Sequence, residues 1–181
     1  MKPPTAVSTI ELSVKEVAQL FETLDPYPFH ERDLDKDAEE YIVGWARELP
    51  RDRAFKIVVH LPAAEAQSRA AGGIEDGMKR FFAYRADAVG RDLRELFRVG
   101  RLSLFIGIVV LIACVTAAQF VDVVIGEGPL TVITRESLII LGWVANWRPL
   151  EIFLYEWLPI SRRRNLYRRL AVATIELRPV H

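Results

Sequence analysis

The residues from Leu102 to Val121 run for twenty positions without a charged side chain. As a helix rising 1.5 Å per residue they cover ~30 Å, the hydrocarbon thickness of a bilayer. A helix that is apolar on every side needs lipid or a large protein core around it. A chain of 181 residues has the core of one ordinary domain. The segment is therefore expected to cross a membrane.

A second apolar stretch, Pro129 to Ile160, is broken by Arg135 and Glu136 early and by Arg148, Pro149, Glu151 and Glu156 late. Two spans fit it. Either Pro129–Trp147 crosses and the remainder lies along the surface, or Ser137–Leu158 crosses with Arg148 and Glu151 inside. Trp143, Trp147, Tyr155 and Trp157 place the membrane–water boundary within 143–157, because such rings collect there. The favoured expectation is a span ending near Trp147 or slightly later, followed by a partly embedded interfacial helix. Lys79, Arg80, Arg85, Arg91, Arg94, Arg98 and Arg101 precede the first span, and Arg162, Arg163, Arg164, Arg168 and Arg169 follow the second. The connection Asp122–Glu136 offers only Arg135. This bias predicts a transmembrane hairpin with both termini cytoplasmic.

The polar ends carry strand and helix patterns. Met1–Val14 has one early lysine, Lys2, and no apolar core, so no cleaved signal peptide is expected. Ile10, Leu12 and Val14 alternate with Glu11 and Ser13, a half-buried strand. A short apolar stretch (Val17, Leu20, Phe21) is stopped by Asp25-Pro26-Tyr27-Pro28. Asp33–Leu49 reads as a helix, with Asp37 and Glu40 as a capping box and Ala38, Tyr41, Ile42, Trp45 and Leu49 on one face. Phe55, Ile57, Val59 and Leu61 alternate with Lys56, Val58 and His60, a second strand that a crossover would set parallel to the first. Ala173, Ile175 and Leu177 supply a third, returning from the far end of the chain. Between them, Pro62–Gly73 reads as a short helix with a glycine stop. A long helix then starts near Ile74 with the stripe Ile74, Met78, Phe81, Phe82, Val89, Leu93, Leu96 and Phe97, and runs unbroken into Leu102.

The expected fold class is an α+β membrane protein. Residues 1–72 form a cytoplasmic α/β domain with a sheet of about three strands, and 73–101 a juxtamembrane amphipathic helix. Residues 102–160 form the transmembrane hairpin with its interfacial helix. Residues 161–181 return to the cytoplasm and add the carboxy-terminal strand to the amino-terminal sheet.

Composition narrows the function classes. Lys plus Arg and Asp plus Glu both total 24, so the chain lacks the basic excess of a nucleic-acid binder. The lone Cys114 excludes an internal disulfide, and His30, His60 and His181 have no metal-ligand spacing. Asp33-x-Asp35-x-Asp37 opens like a calcium loop, but Ala38 stands at the glycine position and Gly44 at the closing glutamate. Acidic residues at a helix amino terminus are the simpler reading. No nucleophile elbow, P-loop or dinucleotide glycine motif occurs, and Gly72-Gly73 with Gly77 is no phosphate cradle. A non-enzymatic protein is expected, without metal or cofactor.

Three groups remain as candidates. Arg91, Arg94, Arg98 and Arg101 share a helix face under the membrane, where they snorkel and set topology or meet anionic lipid at ~1 kcal/mol each. Asp87, Asp92 and Glu95 are placed for local pairing. Ser103 with Gly107 and Ala113 with Ala117 are small-xxx-small pairs that let helices approach closely, including those of other copies. Arg148 and Glu151 are three apart and can pair, and Glu151 and Tyr155 are four apart on nearly the same face. They read as an interfacial anchor or, alternatively, as a polar pathway or inter-subunit contact.

At Asp33-Leu34-Asp35-Lys36-Asp37-Ala38-Glu39-Glu40 and Trp147-Arg148-Pro149-Leu150-Glu151 the chain resembles a family of uncharacterised bacterial two-helix inner-membrane proteins. The resemblance spans most of the chain. It implies a bacterial inner-membrane location and supplies no activity, ligand or catalytic residue. The expected function is a self-assembling membrane scaffold or anchor, a homo-oligomer in the bilayer. The alternatives are an accessory or regulatory subunit bound to a transporter or membrane enzyme, and a small homo-oligomeric channel using Arg148 and Glu151.

Overall fold

A computed structural model of the chain describes residues 7–21, 33–50, 52–68 and 70–180. The expected stop at Asp25–Pro28, the first six residues, His30 and His181 lie outside them. The described residues form a mixed α+β structure with a three-strand parallel sheet and one long apolar helix. The chain divides into two units, Met1–Val89 with Arg162–His181, and Gly90–Ser161.

In the first unit the alternating segments become β1 (Val7–Ser13), β2 (Ala54–Pro62) and β3 (Thr174–Val180), in the order β1-β2-β3 and all parallel. The register aligns Ile10, Ile57 and Ile175, and next Leu12, Val59 and Leu177. Those rows face the core. The opposite face carries Glu11, Lys56, His60, Glu176 and Arg178. His60 Nε2 lies 3.2 Å from Glu11, Lys56 pairs with Glu176, and Arg178 Nε donates to Glu176 at 2.8 Å. Lys56 and then Arg178 hold the Glu176 carboxyl down to about 2. One expected outward residue is corrected: Val58 is fully buried. It sits at the centre of the middle strand with Glu11 and Glu176 on either side, so neighbours shelter it on both flanks.

Helix α1 (Lys36–Glu48) starts two residues earlier than the capping box implies. Its cap is Asp35, whose carboxylate accepts from the backbone N–H groups of Asp37 (2.9 Å) and Ala38 (3.4 Å). Its buried face is also rotated from the expected one: Glu39, Ile42, Val43 and Ala46 are inside, while Tyr41 and Trp45 are 46% and 48% exposed. Both rings sit at the rim, where the Tyr41 hydroxyl donates to the Glu11 carbonyl at 3.0 Å. A short α2 (Ala63–Ala66) and a 3₁₀ turn (Ala71–Gly73) follow β2. The two glycines lead into the next helix instead of ending one. That helix, α3, runs from Ile74 to Ile125 without interruption. Its first turns give this unit Ile74, Met78, Phe81, Phe82, Ala86 and Val89, all buried.

In the second unit α3 continues through the uncharged segment, and it is long and apolar enough to cross a membrane. It is followed by α4 (Pro129–Val144), α5 (Trp147–Glu151), a π-helical turn (Ile152–Glu156) and the start of α6 (Trp157–Ala171). Small residues set the contacts between α3 and α4. A methyl group on Gly142 would lie 2.9 Å from Leu111 Cδ1 and 3.3 Å from Cys114 Cβ, and one on Gly107 would lie 2.6 Å from Asn146 Oδ1. Asn146 Nδ2 donates to the carbonyls of Gly107 (3.1 Å) and Gly142 (3.0 Å). Arg135 and Asp122 approach to 3.8 Å. The buried line along α3 is Gly107, Cys114, Ala118 and Val121, with Cys114 a small filler.

Candidate functional site

The most constrained polar cluster lies in the first unit, where α1, the start of α3 and the end of α6 meet. Glu39 falls with Ile42, Val43 and Ala46 at i, i+3, i+4 and i+7, so the periodicity that buries those residues buries a carboxylate as well. Both of its oxygens are engaged. Arg85 Nη2 donates to Oε2 at 2.5 Å, and the Tyr167 hydroxyl donates to Oε1 at 2.6 Å. Arg85 also lies 5.3 Å over the Phe81 ring, and Tyr167 stacks on Phe82 with centroids 6.3 Å apart. Arg163 closes the other side, 5.6 Å over the Tyr167 ring and 3.5 Å from its hydroxyl.

The electrostatics follow from this arrangement. Burial, then the Glu39 carboxylate, push the Tyr167 hydroxyl above its ordinary pKa, against the pull of Arg163. The hydrogen bond to Glu39 raises the Arg85 guanidinium further above its own. With one donor on each oxygen, Glu39 ties three helices together. An open cleft of about 570 Å³ lies against the cluster, with Lys36, Glu40, Gly44 and Arg47 of α1 and Arg163 of α6 among its walls. Among the described residues no group of His, Cys, Asp and Glu could hold a metal ion.

Sequence reasoning did not single out Glu39, Arg85 or Tyr167. The signal available was a glutamate at a core position of α1. It was hidden because Glu39 belongs to the acidic run Asp33–Glu40, which reads as amino-terminal charge.

The residues that were singled out lie in the second unit. Arg91, Arg94, Arg98 and Arg101 do share a face and line a shallow groove with Glu95 and Phe97, and Arg98 is 3.8 Å from Glu95. Gly107 is covered by Asn146 and Ser103 is half-buried, while Ala113 and Ala117 stay exposed. Arg148 and Glu151 pair at 3.1 Å as their spacing indicates, and a second carboxylate, Glu156, joins them. Tyr155 is well exposed. The π turn explains the exchange: it rotates through fewer degrees per residue than an α-helix, which carries Tyr155 off the face of Arg148 and brings Glu156 onto it.

The Arg148 and Glu151 side chains are 56% and 45% exposed, so the chain itself does not desolvate this pair. Glu151→Ala and Glu156→Ala are each expected to leave the thermal midpoint in detergent nearly unchanged, because Arg148 keeps one partner. The double replacement should lower it by more than the sum. Equal, additive effects across the three variants would show that the two carboxylates do not share Arg148.

Comparison with known proteins adds no relative: no protein-family model, no curated protein and no solved structure matches the chain.

Proposed function

We propose that the chain is a non-enzymatic integral membrane protein of the bacterial inner membrane. In this reading it is a two-helix transmembrane anchor that carries the parallel-sheet unit in the cytoplasm and assembles with its own copies. One observation carries the membrane reading. Leu102, Phe105, Ile106, Ile112 and Phe120 on α3, and Leu130, Ile133, Ile140, Leu141 and Val144 on α4, are each more than half exposed. Soluble monomers rarely present so large a contiguous apolar surface to water, whereas lipid covers it without cost. The basic residues flanking this surface on the Arg101 and Arg162 sides support cytoplasmic termini. Exposed Ala113 and Ala117 support close approach of another copy.

Topology is open to a direct test in a background where the buried Cys114 is replaced by Ala. Gly128→Cys is expected to react with an impermeant maleimide in intact cells. Asp37→Cys and Arg163→Cys should react only after permeabilisation. Labelling of Asp37→Cys in intact cells would overturn the orientation, and extraction of the protein by alkaline carbonate would overturn the membrane reading. Native mass measurement from nanodiscs tests assembly: a homomeric species is expected, and a monomer or a fixed complex with a foreign subunit would overturn it.

A further inference from the structure

We propose that the groove on α3 lined by Arg94, Arg98 and Arg101 holds an anionic phospholipid, its phosphate against the guanidinium groups and an acyl chain along the helix. This rests on the membrane reading above. Helix geometry turns the groove away from the rest of its unit. The side of α3 that packs within the unit is marked by Gly100, where a methyl group would lie 2.9 Å from Ile152 Cγ2. At 3.6 residues per turn, Arg94, Arg98 and Arg101 lie about 100–160° around the helix from it. All three are exposed, and Arg94 and Arg101 have no ion pair among the described residues. Arg98 meets Glu95 only at 3.8 Å, with the two side chains 78% and 64% exposed. Arg91, which has an interaction of its own, offsets Asp87 one turn before it, and Asp92 is outside the lining. Three cations then face one carboxylate, Glu95, an excess of two positive charges.

A second observation separates a lipid from a soluble anion. Leu102 and Phe105 follow Arg98 at i+4 and i+7, and Val109 and Ile112 continue the line, each more than half exposed. Charge at one end and an apolar strip at the other, on a single helix face, match an amphiphile and not a free ion. Phe97, stacked on Phe153 with centroids 6.0 Å apart, gives the groove a fixed apolar wall. Depth agrees. At 1.5 Å per residue Arg101 and Arg98 sit roughly 1.5 and 6 Å above Leu102, inside a headgroup layer ~5–7 Å thick on each side of the hydrocarbon. Arg94, roughly 12 Å above Leu102, lies just beyond that layer. Guanidinium forks match phosphate oxygens in pairs, and cations at this level draw anionic lipid. A zwitterionic headgroup would bring its own cation into the positive excess.

The full-length protein in neutral-detergent micelles is offered equal amounts of phosphatidylglycerol and phosphatidylcholine with the same acyl chains, and retained lipids are read by native mass measurement. Phosphatidylglycerol should be retained at least about tenfold more strongly. Arg98→Gln and Arg101→Gln should each lower that preference about fivefold, and Arg94→Gln less. Glu95→Gln should raise it, a gain that misfolding does not produce. Arg162→Gln, on α6 and outside the groove lining, should behave like the parent. Equal retention of both lipids by a protein that resists carbonate extraction from membranes would overturn the lipid site and leave the membrane reading standing. Extraction by carbonate would overturn both. An equal loss in Arg162→Gln would reveal general attraction to a basic surface and overturn the groove. A smaller homomeric species in Arg98→Gln or Arg101→Gln, with lipid retention unchanged, would make a second copy the occupant and overturn the lipid.

Discussion

A chain ending at Ala173 is expected to lose the cooperative unfolding of its sheet unit. Ile175 is buried and Leu177 half-buried on β3, and burying such a side chain is worth ~1.5–3 kcal/mol. Removing β3 also leaves β2, whose Ile57, Val58 and Val59 are fully buried, as an open edge in a two-strand sheet. A domain holds only ~5–15 kcal/mol in total, so the combined loss takes the unit close to its threshold. Limited proteolysis should then cut rapidly within residues 52–68, and the thermal transition of this unit should broaden or vanish. The apolar helix α3 needs no sheet to enter a bilayer, so membrane insertion should survive. Unchanged protease resistance of the truncated chain would show that β3 adds nothing to the sheet.

Glu39→Ala is expected to cost the same unit ~2–4 kcal/mol, most of it from one orphaned group. Tyr167 is 2% exposed, and its hydroxyl would be left without an acceptor at ~1–3 kcal/mol. The Arg85 side chain is 41% exposed, so its guanidinium can turn to water and loses less. Tyr167→Phe should cost only ~1 kcal/mol, because Glu39 keeps Arg85. The double variant should be milder than the sum of the two single changes by at least ~0.5 kcal/mol. The raised pKa of Tyr167 gives the sign of a pH effect. Its stabilisation is full below the ordinary tyrosine pKa of about 10 and is lost as pH rises through the higher folded value. Tyr167→Phe should lack that alkaline component. Denaturant unfolding of the four variants decides the matter: small, additive changes would mean that the three helices are held by packing alone.

The elements themselves were legible because their periods are local. Ile10 and Leu12, Phe55 to Leu61, and Ile175 and Leu177 alternate with period two, and all three segments are strands of one sheet. The stripe from Ile74 to Val89 and the uncharged run after it lie on one unbroken helix. That β3 completes the sheet was also legible, as its alternation matches that of the amino-terminal strands.

Which faces meet was decided by the tertiary structure. Period alone pointed Val58 outward, yet its place between β1 and β3 buries it, while Lys56 and His60 on the same face stay half-buried. The apolar content of α1 favoured the face with Tyr41 and Trp45, and the fold buries the one with Glu39 instead. That choice holds because Arg85 and Tyr167, 46 and 128 residues further along, satisfy the carboxylate. The substitution of Glu156 for Tyr155 beside Arg148 likewise depends on a π turn that no spacing rule anticipates. A sequence fixes local period and hydropathy, because these depend on near neighbours along the chain. The pairing of a buried charge depends on groups that only the fold brings within 3 Å, and those are where the candidate site lies.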